Sequence, residues 1–260
     1  MTSNVDEAMA DEFDTVAQWT AEVALDLGPG YHVPAACRGS GQPAALDWLL
    51  AGLRPAPGDL LIDAGAGVGG PAAYACQHAG IRPLLVEPEP AACRASRKLF
   101  GFPVFQGDAT RLPFADGVVP VAWCLGVLCT TSGPAAQLAV LRELRRVVRP
   151  GGRIGLLVFL ATVPELDDPP EGNHFPCPDE LGTLLGQAEL TVLDRAPAHD
   201  LPAASALWHE RTHAVESELE HRHGARPAWR TAKAQSGRIG HLLKQGQLQS
   251  QVLLLQRPAA

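Results

Sequence analysis

The 260-residue chain has no apolar run of roughly 18 residues or more, so no membrane-spanning helix is expected. Its first stretch, Met1 to Asp14, is acidic and lacks the basic-then-apolar order of a secretory leader. A cytoplasmic location is the expectation, and the six cysteines then read as free thiols. No two of them form a Cys-x-x-Cys pair, which argues against a cysteine zinc site. Only three of the 21 basic residues are lysine, a bias that says more about the coding genome than about function. The net charge of −7 argues against nucleic acid as a main partner, because neutralising many phosphates asks for a basic balance.

What is present is an ordinary apolar fraction, 46%, on a length that suits one large α/β domain with room for an insertion. The chain is organised around Asp59 to Gly70. Leu60-Leu61-Ile62 reads as a buried strand, followed by Asp63 and four glycines within six residues: Gly65, Gly67, Gly69 and Gly70. Pro71 and an alanine-rich run then open a helix. Glycines let backbone approach a ligand closely, and the helix start aims free N–H groups at it. Two patterns fit. Gly65-x-Gly67-x-x-Gly70 matches dinucleotide sites, and Asp63-x-Gly65-x-Gly67-x-Gly69 matches sites for S-adenosylmethionine.

Strands at 84–86, 104–105, 121–125 and 153–160 follow, alternating with helices at 90–100 and 134–148. Pro120 should sit at the first position of its strand, and Arg149-Pro150-Gly151-Gly152 reads as a tight connection. Such alternation predicts a mostly parallel sheet with helices on both faces and ligands at the strands' carboxyl ends, where Asp63, Glu87, Asp108 and Leu125 fall. Glu87 lies 20 residues past Gly67, a spacing that suits a carboxylate accepting both ribose hydroxyls. Upstream, a helix or two short ones are expected over 13–27 and a helix over 43–53. Residues 1–12 are expected to fray, and Tyr31 to Gly41 reads as a loop.

Four features in order carry a family resemblance over residues 59–160. They are Asp63-Ala64-Gly65-Ala66-Gly67-Val68-Gly69, Glu87, Gly107-Asp108-Ala109 before Leu112-Pro113-Phe114, and Leu144-x-x-Val147-x-x-Pro150-Gly151-Gly152. The chain resembles class I S-adenosylmethionine-dependent methyltransferases, most closely those acting on small molecules. The resemblance implies a Rossmann-like α/β fold: a doubly wound, seven-stranded, mostly parallel sheet with N-terminal helices and an inserted helical lid before the last, antiparallel strand. It implies one domain over 1–260, divided into an N-terminal helical cap (1–57), a cofactor-binding core (58–162) and a substrate-side half (163–260) with inserted helices at 203–247.

The same resemblance implies site roles. Backbone at Gly65, Ala66 and Gly67 would pass under the methionine part, with Asp63 ordering the turn. Glu87, with Pro88 after it, would hold the ribose. Asp108 and Ala109 would meet the adenine, and Leu125 and Gly126 the methionine amino group. The Arg38-Gly39-Ser40-Gly41 segment would contact the methionine carboxylate. S-adenosyl-L-methionine is the implied methyl donor and S-adenosyl-L-homocysteine its product, with a small organic acceptor, no nucleic acid or membrane partner, and a monomer or homodimer. Family members often carry a polar residue after the fourth strand, where this chain has Leu125-Gly126-Val127-Leu128. That gap keeps open a non-methylating cyclase or a cofactor-binding module on the same frame.

No catalytic residue announces itself. His32, His174 and His209 are base candidates from segments expected to face the pocket, and each also reads as a structural or surface histidine. His209-Glu210-x-x-His213 matches a zinc hydrolase pattern, but it sits in a His/Glu-rich stretch where chance pairs arise, and no metal site is assigned. Arg222, Arg226, Arg230 and Lys233 read as an acid-binding cluster or as a solvated face, and Trp208 and Trp229 as pocket wall or core. Residues 163–177, rich in proline and acid, read as a loop over the site.

Overall fold

The computed structural model describes residues 4–39 and 41–259, and side chains from Glu12 onward. The chain opens with α1 (Asn4–Leu27), α2 (Pro29–Ala36) and α3 (Pro43–Leu53). It continues through β1 (Leu60–Ala64), α4 (Gly70–Ala79), β2 (Arg82–Glu87), α5 (Pro90–Phe100) and β3 (Val104–Gln106). Then come β4 (Val119–Leu125), α6 (Pro134–Val147), β5 (Val148–Ala161), α7 (Pro178–Gln187) and β6 (Thr191–Pro197). The inserted pair α8 (Ala206–His223) and α9 (Pro227–Lys244) precedes β7 (Leu248–Gln256). Among the described residues no helix is long and apolar enough to cross a membrane.

One seven-stranded sheet has the order β3-β2-β1-β4-β5-β7-β6. The pairs among β1 to β5 are parallel, and β7 runs antiparallel to β5 and to β6. The α/β sheet and the antiparallel last strand match expectation. The order reverses between β1 and β4, so ligand-binding loops gather at the carboxyl ends of those two strands. The central strands bury their side chains on both faces, as in Leu61, Ile62, Ala122, Trp123, Ile154 and Leu156, which are at most 0% exposed.

Three local expectations are corrected. Residues 31–36, expected as part of a loop over 31–41, belong instead to a helix over Pro29–Ala36. Pro29 stands at its first position, where a missing N–H costs nothing, and Gly28 at φ 100° supplies the entry turn. Helix α1 begins at Asn4, so residues 4–12 are helical where fraying was expected. Pro150-Gly151-Gly152 lies inside β5 as a bulge: Val119 pairs with Val148, but Val121 already pairs with Arg153. Pro120 sits in that irregularity, one residue later than expected, so its missing donor falls where pairing lapses. A β-carbon on Gly152 would stand 2.6 Å from the Pro120 carbonyl oxygen, which is why that position is glycine.

Candidate functional site

The glycine turn after β1 is held by backbone bonds to β2. Gly65 and Ala66 donate to the Val86 carbonyl at 2.9 and 3.1 Å, and Gly69 donates to Ala66 at 2.9 Å. Among the described residues the Asp63 side chain closes no hydrogen bond to the turn it was expected to order. It is 1% exposed, its Oδ2 has no partner, and Trp123 Nε1 beside it on β4 is also unpaired. Burial pushes the Asp63 carboxyl up to about 7, with the Trp123 indole opposing and the Glu87 charge reinforcing the shift.

Glu87 ends β2 and is 4% exposed. Its Oε2 accepts from Gly67 N at 2.7 Å and its Oε1 from Glu89 N at 3.2 Å. An ionised carboxylate has about four acceptor positions, so roughly two remain open. Burial raises its pKa to about 7; the two backbone donors oppose this, and the Glu89 and Asp14 charges add to it. The glycines differ in why they are glycine. A β-carbon on Gly65 would collide with Val127 Cγ2 at 2.3 Å, and one on Gly70 with the α2 backbone at Ala36, also at 2.3 Å. One on Gly67, at φ 54°, would meet only the Phe13 ring tip at 3.8 Å. Gly67 therefore has open space above it, under the half-exposed Phe13 of α1.

The β3 end completes this trench. Asp108 is exposed and its Oδ1 accepts from Thr110 N at 2.6 Å, while Ala109 is buried. Phe105 and Phe114 meet edge-on at 5.1 Å beside it. The Pro88 carbonyl accepts from Gln106 Nε2 at 3.2 Å, tying β2's exit to β3. At the end of β4, Leu125 is buried and Gly126 donates to Leu157 O at 2.9 Å. A β-carbon on Gly126, at φ 75°, would lie 3.0 Å from Gly39 O, so the segment after α2 crosses the strand end. Ser40 lies outside the described residues.

Arg38 leaves that segment with its guanidinium 5.1 Å from the centre of the Trp229 ring. Burial lowers its pKa, and the carboxylates of Glu216 and Glu12 oppose this. It also lines a cavity of about 1000 Å³ that begins at Cys37, Gly39 and Leu157, next to the trench. One face of α8 walls it, with Trp208, His209, Thr212, Val215, Glu216 and Leu219, opposite Phe159, Leu248, Gln249 and Ser250 of the sheet. Trp208 and Trp229 are thus cavity wall, and the Trp229 indole also donates to Glu220 at 2.7 Å.

Of the base candidates, His209 lines the cavity. His32 instead packs edge-on against Phe100 at 6.3 Å, with burial lowering its pKa. The His174 backbone bonds Cys129 O and Gln137, and its buried Nε2 has no partner; its ring is not part of the cavity wall. Residues 163–177 pack against Cys129, Gln137 and Gln247 and do not cover the cavity as expected. His213 faces Ser217, and among the described residues no group of three His, Cys, Asp or Glu could hold a metal ion. Two members of the basic cluster are engaged by acids: Arg222 with Asp26 and Glu218, and Lys233 with Glu216, all at 2.6 Å. The buried Cys124 and Cys129 have thiols pushed up by burial, that of Cys129 to about 12, so neither is a nucleophile. Sequence reasoning missed Thr20, Gln42, His199, Gln249 and Ser250 in the cavity wall. They belong to no motif, and only the packing of four segments distant in sequence brings them together.

Residues 62–156 match a family model described as a methyltransferase domain. Demethylmenaquinone methyltransferases of Mycobacterium tuberculosis and Mycobacterium bovis are 43% identical over 68 residues, 26% of this chain and 26% of theirs. The match therefore spans about a quarter of those relatives. Among solved structures, the cyclase SpnF superposes with a TM-score of 0.64 at 20% identity, covering 83% of this chain and 81% of its own. Geranyl diphosphate C-methyltransferase from Streptomyces coelicolor A3(2) gives 0.61 at 14%, covering 82% and 75%. Cyclopropane synthase MmaA2 from Mycobacterium tuberculosis gives 0.64 at 14%, covering 82% and 83%. At these identities the likeness is one of fold.

Proposed function

We infer, from the match of residues 62–156 to a methyltransferase domain, that the chain binds S-adenosyl-L-methionine in the glycine trench and methylates a small organic acceptor held in the adjoining cavity. The observation that carries this reading is contiguity. Gly39 and Leu157 line the cavity, and the same two residues touch Gly126 at the trench end of β4.

The residues fit the cofactor. Glu87 keeps acceptor positions for a diol after receiving Gly67 and Glu89. Among the described residues only the Phe13 ring tip, at 3.8 Å, approaches the space above Gly67. Asp108 offers an exposed carboxylate for an exocyclic amine, with Phe105 and Phe114 as flat neighbours. Gly126 and Gly39 bring backbone to the methionine end. When bound, S-adenosyl-L-methionine supplies an electrophilic methyl on a sulfonium. The chain's own work is alignment and exclusion of water: α1 covers the trench through Phe13, and α8 and α9 roof the acceptor. Where the acceptor must lose a proton, His209 and His199 are the wall residues able to take it.

The test is incubation with S-adenosyl-L-methionine and candidate acceptors, with mass spectrometry of both products. A gain of one methyl group with one equivalent of S-adenosyl-L-homocysteine is the expected result. The Leu125-Gly126-Val127-Leu128 segment, which offers no acid or base, favours a second reading as a cyclase. Acceptor rearranged at constant mass with the cofactor bound and unconsumed would establish that one instead.

A further inference from the structure

We propose that the acceptor is a bulky, electrically neutral, largely apolar molecule about 16 Å long, whose few polar groups are hydroxyl, carbonyl or amide. This rests on the methyl-transfer reading of the same site.

Size comes first. The cavity of about 1000 Å³ lies at the top of the range of roughly 300–1000 Å³ for ligand pockets. Its long axis can be read from β5. Leu157 pairs with Leu125, so it is level with the trench end of β4. Phe159 and Thr162 line the wall beyond it. At about 3.3 Å per residue, Leu157 to Thr162 covers about 16 Å. An amino acid or a short-chain amine would leave most of this space filled with water and would be poorly aligned.

The walls supply the class. Leu157, Phe159, Trp208, Val215, Trp229 and Leu243 give apolar surface from three different elements, β5, α8 and α9. Three of the polar wall residues, Ser236, Gln249 and Ser250, are neutral, and their side chains close no hydrogen bond among the described residues. They suit hydroxyl, carbonyl or amide groups.

Charge excludes the main alternative. A diphosphate needs several cations or a metal ion to offset its desolvation. Among the described wall residues Arg38 is the one permanent cation, and Glu216 and Glu12 already face it. Glu216 is itself paired with Lys233 at 2.6 Å. Arg38 and Glu216 cancel, so the wall presents no net charge with its histidines neutral, and no metal-holding cluster exists among the described residues. The likeness in fold to a geranyl diphosphate methyltransferase therefore does not extend to this wall.

The probe is Nile red, a neutral apolar fluorophore, added to protein saturated with S-adenosyl-L-homocysteine, with geraniol and geranyl diphosphate as competitors, with and without Mg²⁺. The expected result is saturable binding near one equivalent, displaced by geraniol at a concentration at least tenfold below that of geranyl diphosphate. Phe159→Trp should weaken dye binding at least fivefold with the S-adenosyl-L-homocysteine affinity within twofold of the parent. Filling residue 159 risks the fold, so Thr212→Trp, on the cavity face of α8, serves as the second variant with the same expectation. Absence of dye binding, equal or better displacement by geranyl diphosphate, or dye binding unchanged in both variants would overturn the proposal. Failure of S-adenosyl-L-homocysteine itself to bind would instead overturn the methyltransferase reading.

Discussion

The backbone N–H of Gly67 donates to Oε2 of Glu87 at 2.7 Å, joining the glycine turn after β1 to the acid that ends β2. One side chain thus shapes the turn and offers the remaining acceptor positions to a ligand. Glu87→Ala leaves the Gly67 donor unpaired and removes the diol acceptor, a loss of about 1–3 kcal/mol for a buried group. Affinity for S-adenosyl-L-homocysteine should fall more than tenfold by calorimetry, and Asp108→Ala, at the other end of the trench, should lower it as much. Unchanged affinity in both would refute the trench as the cofactor site.

Asp63 and Glu87 both titrate at about 7 in the ligand-free fold, from ordinary values of 3.8 and 4.5. Between those limits the folded chain holds protons that the unfolded chain has released. Their contribution to stability is therefore complete below about pH 4 and is lost as pH rises through about 7. The melting temperature of the ligand-free protein should decline from pH 5 to 7.5, and Asp63→Asn should reduce that slope by about one proton. Affinity for S-adenosyl-L-homocysteine should move the opposite way, rising toward pH 7.5 as Glu87 ionises to accept two hydroxyls. A pH-independent affinity would argue that Glu87 does not meet them.

Gly70 and Gly126 separate packing from ligand approach. A β-carbon on Gly70 would press into the Ala36–Cys37 backbone of α2, at 2.3 Å and 2.4 Å. Gly70→Ala should lower the melting temperature, with refolded protein keeping its cofactor affinity within threefold. Gly126 sits at φ 75° with Gly39 O 3.0 Å from its missing β-carbon. Gly126→Ala should strain the backbone by about 1–3 kcal/mol and displace the 37–41 segment. Here the cofactor affinity should fall at least fivefold. Equal effects at both positions would dissolve the distinction.

Legibility in the sequence followed locality. Glu87 and the glycine turn were readable because strand, turn and acid lie within 30 residues and each step has fixed stereochemistry. The antiparallel β7 was expected on the family resemblance, and Gln249 to Leu255 was apolar enough to be recognised as a strand. Helix α2 was misread because Gly28-Pro29-Gly30 and Pro34 are breakers in isolation, yet at a helix start Gly28 and Pro29 are favoured. The Pro-Gly-Gly segment was recognised, but its place inside β5 depends on where Val119 and Val121 pair. His32 and His174 are base candidates only if the segments that carry them turn toward the pocket. Which way such segments turn is settled by contacts with Phe100 and Cys129, distant in sequence.

Arg38 stands where trench and cavity meet, and its role can be resolved by ligand choice. Its neighbours are Trp229, Glu216 and Glu12, from α9, α8 and α1, and the Gly39 carbonyl next to it reaches Gly126. A guanidinium so close to the methionine end would accept a ligand carboxylate as a further partner. Arg38→Leu should then weaken S-adenosyl-L-homocysteine about tenfold, the scale of one charge-assisted hydrogen bond. Methylthioadenosine, which lacks that carboxylate, should bind the variant within twofold of the parent. Equal losses for both ligands would mean that Arg38 acts by holding α1, α8 and α9 over the site, and the carboxylate contact would be abandoned.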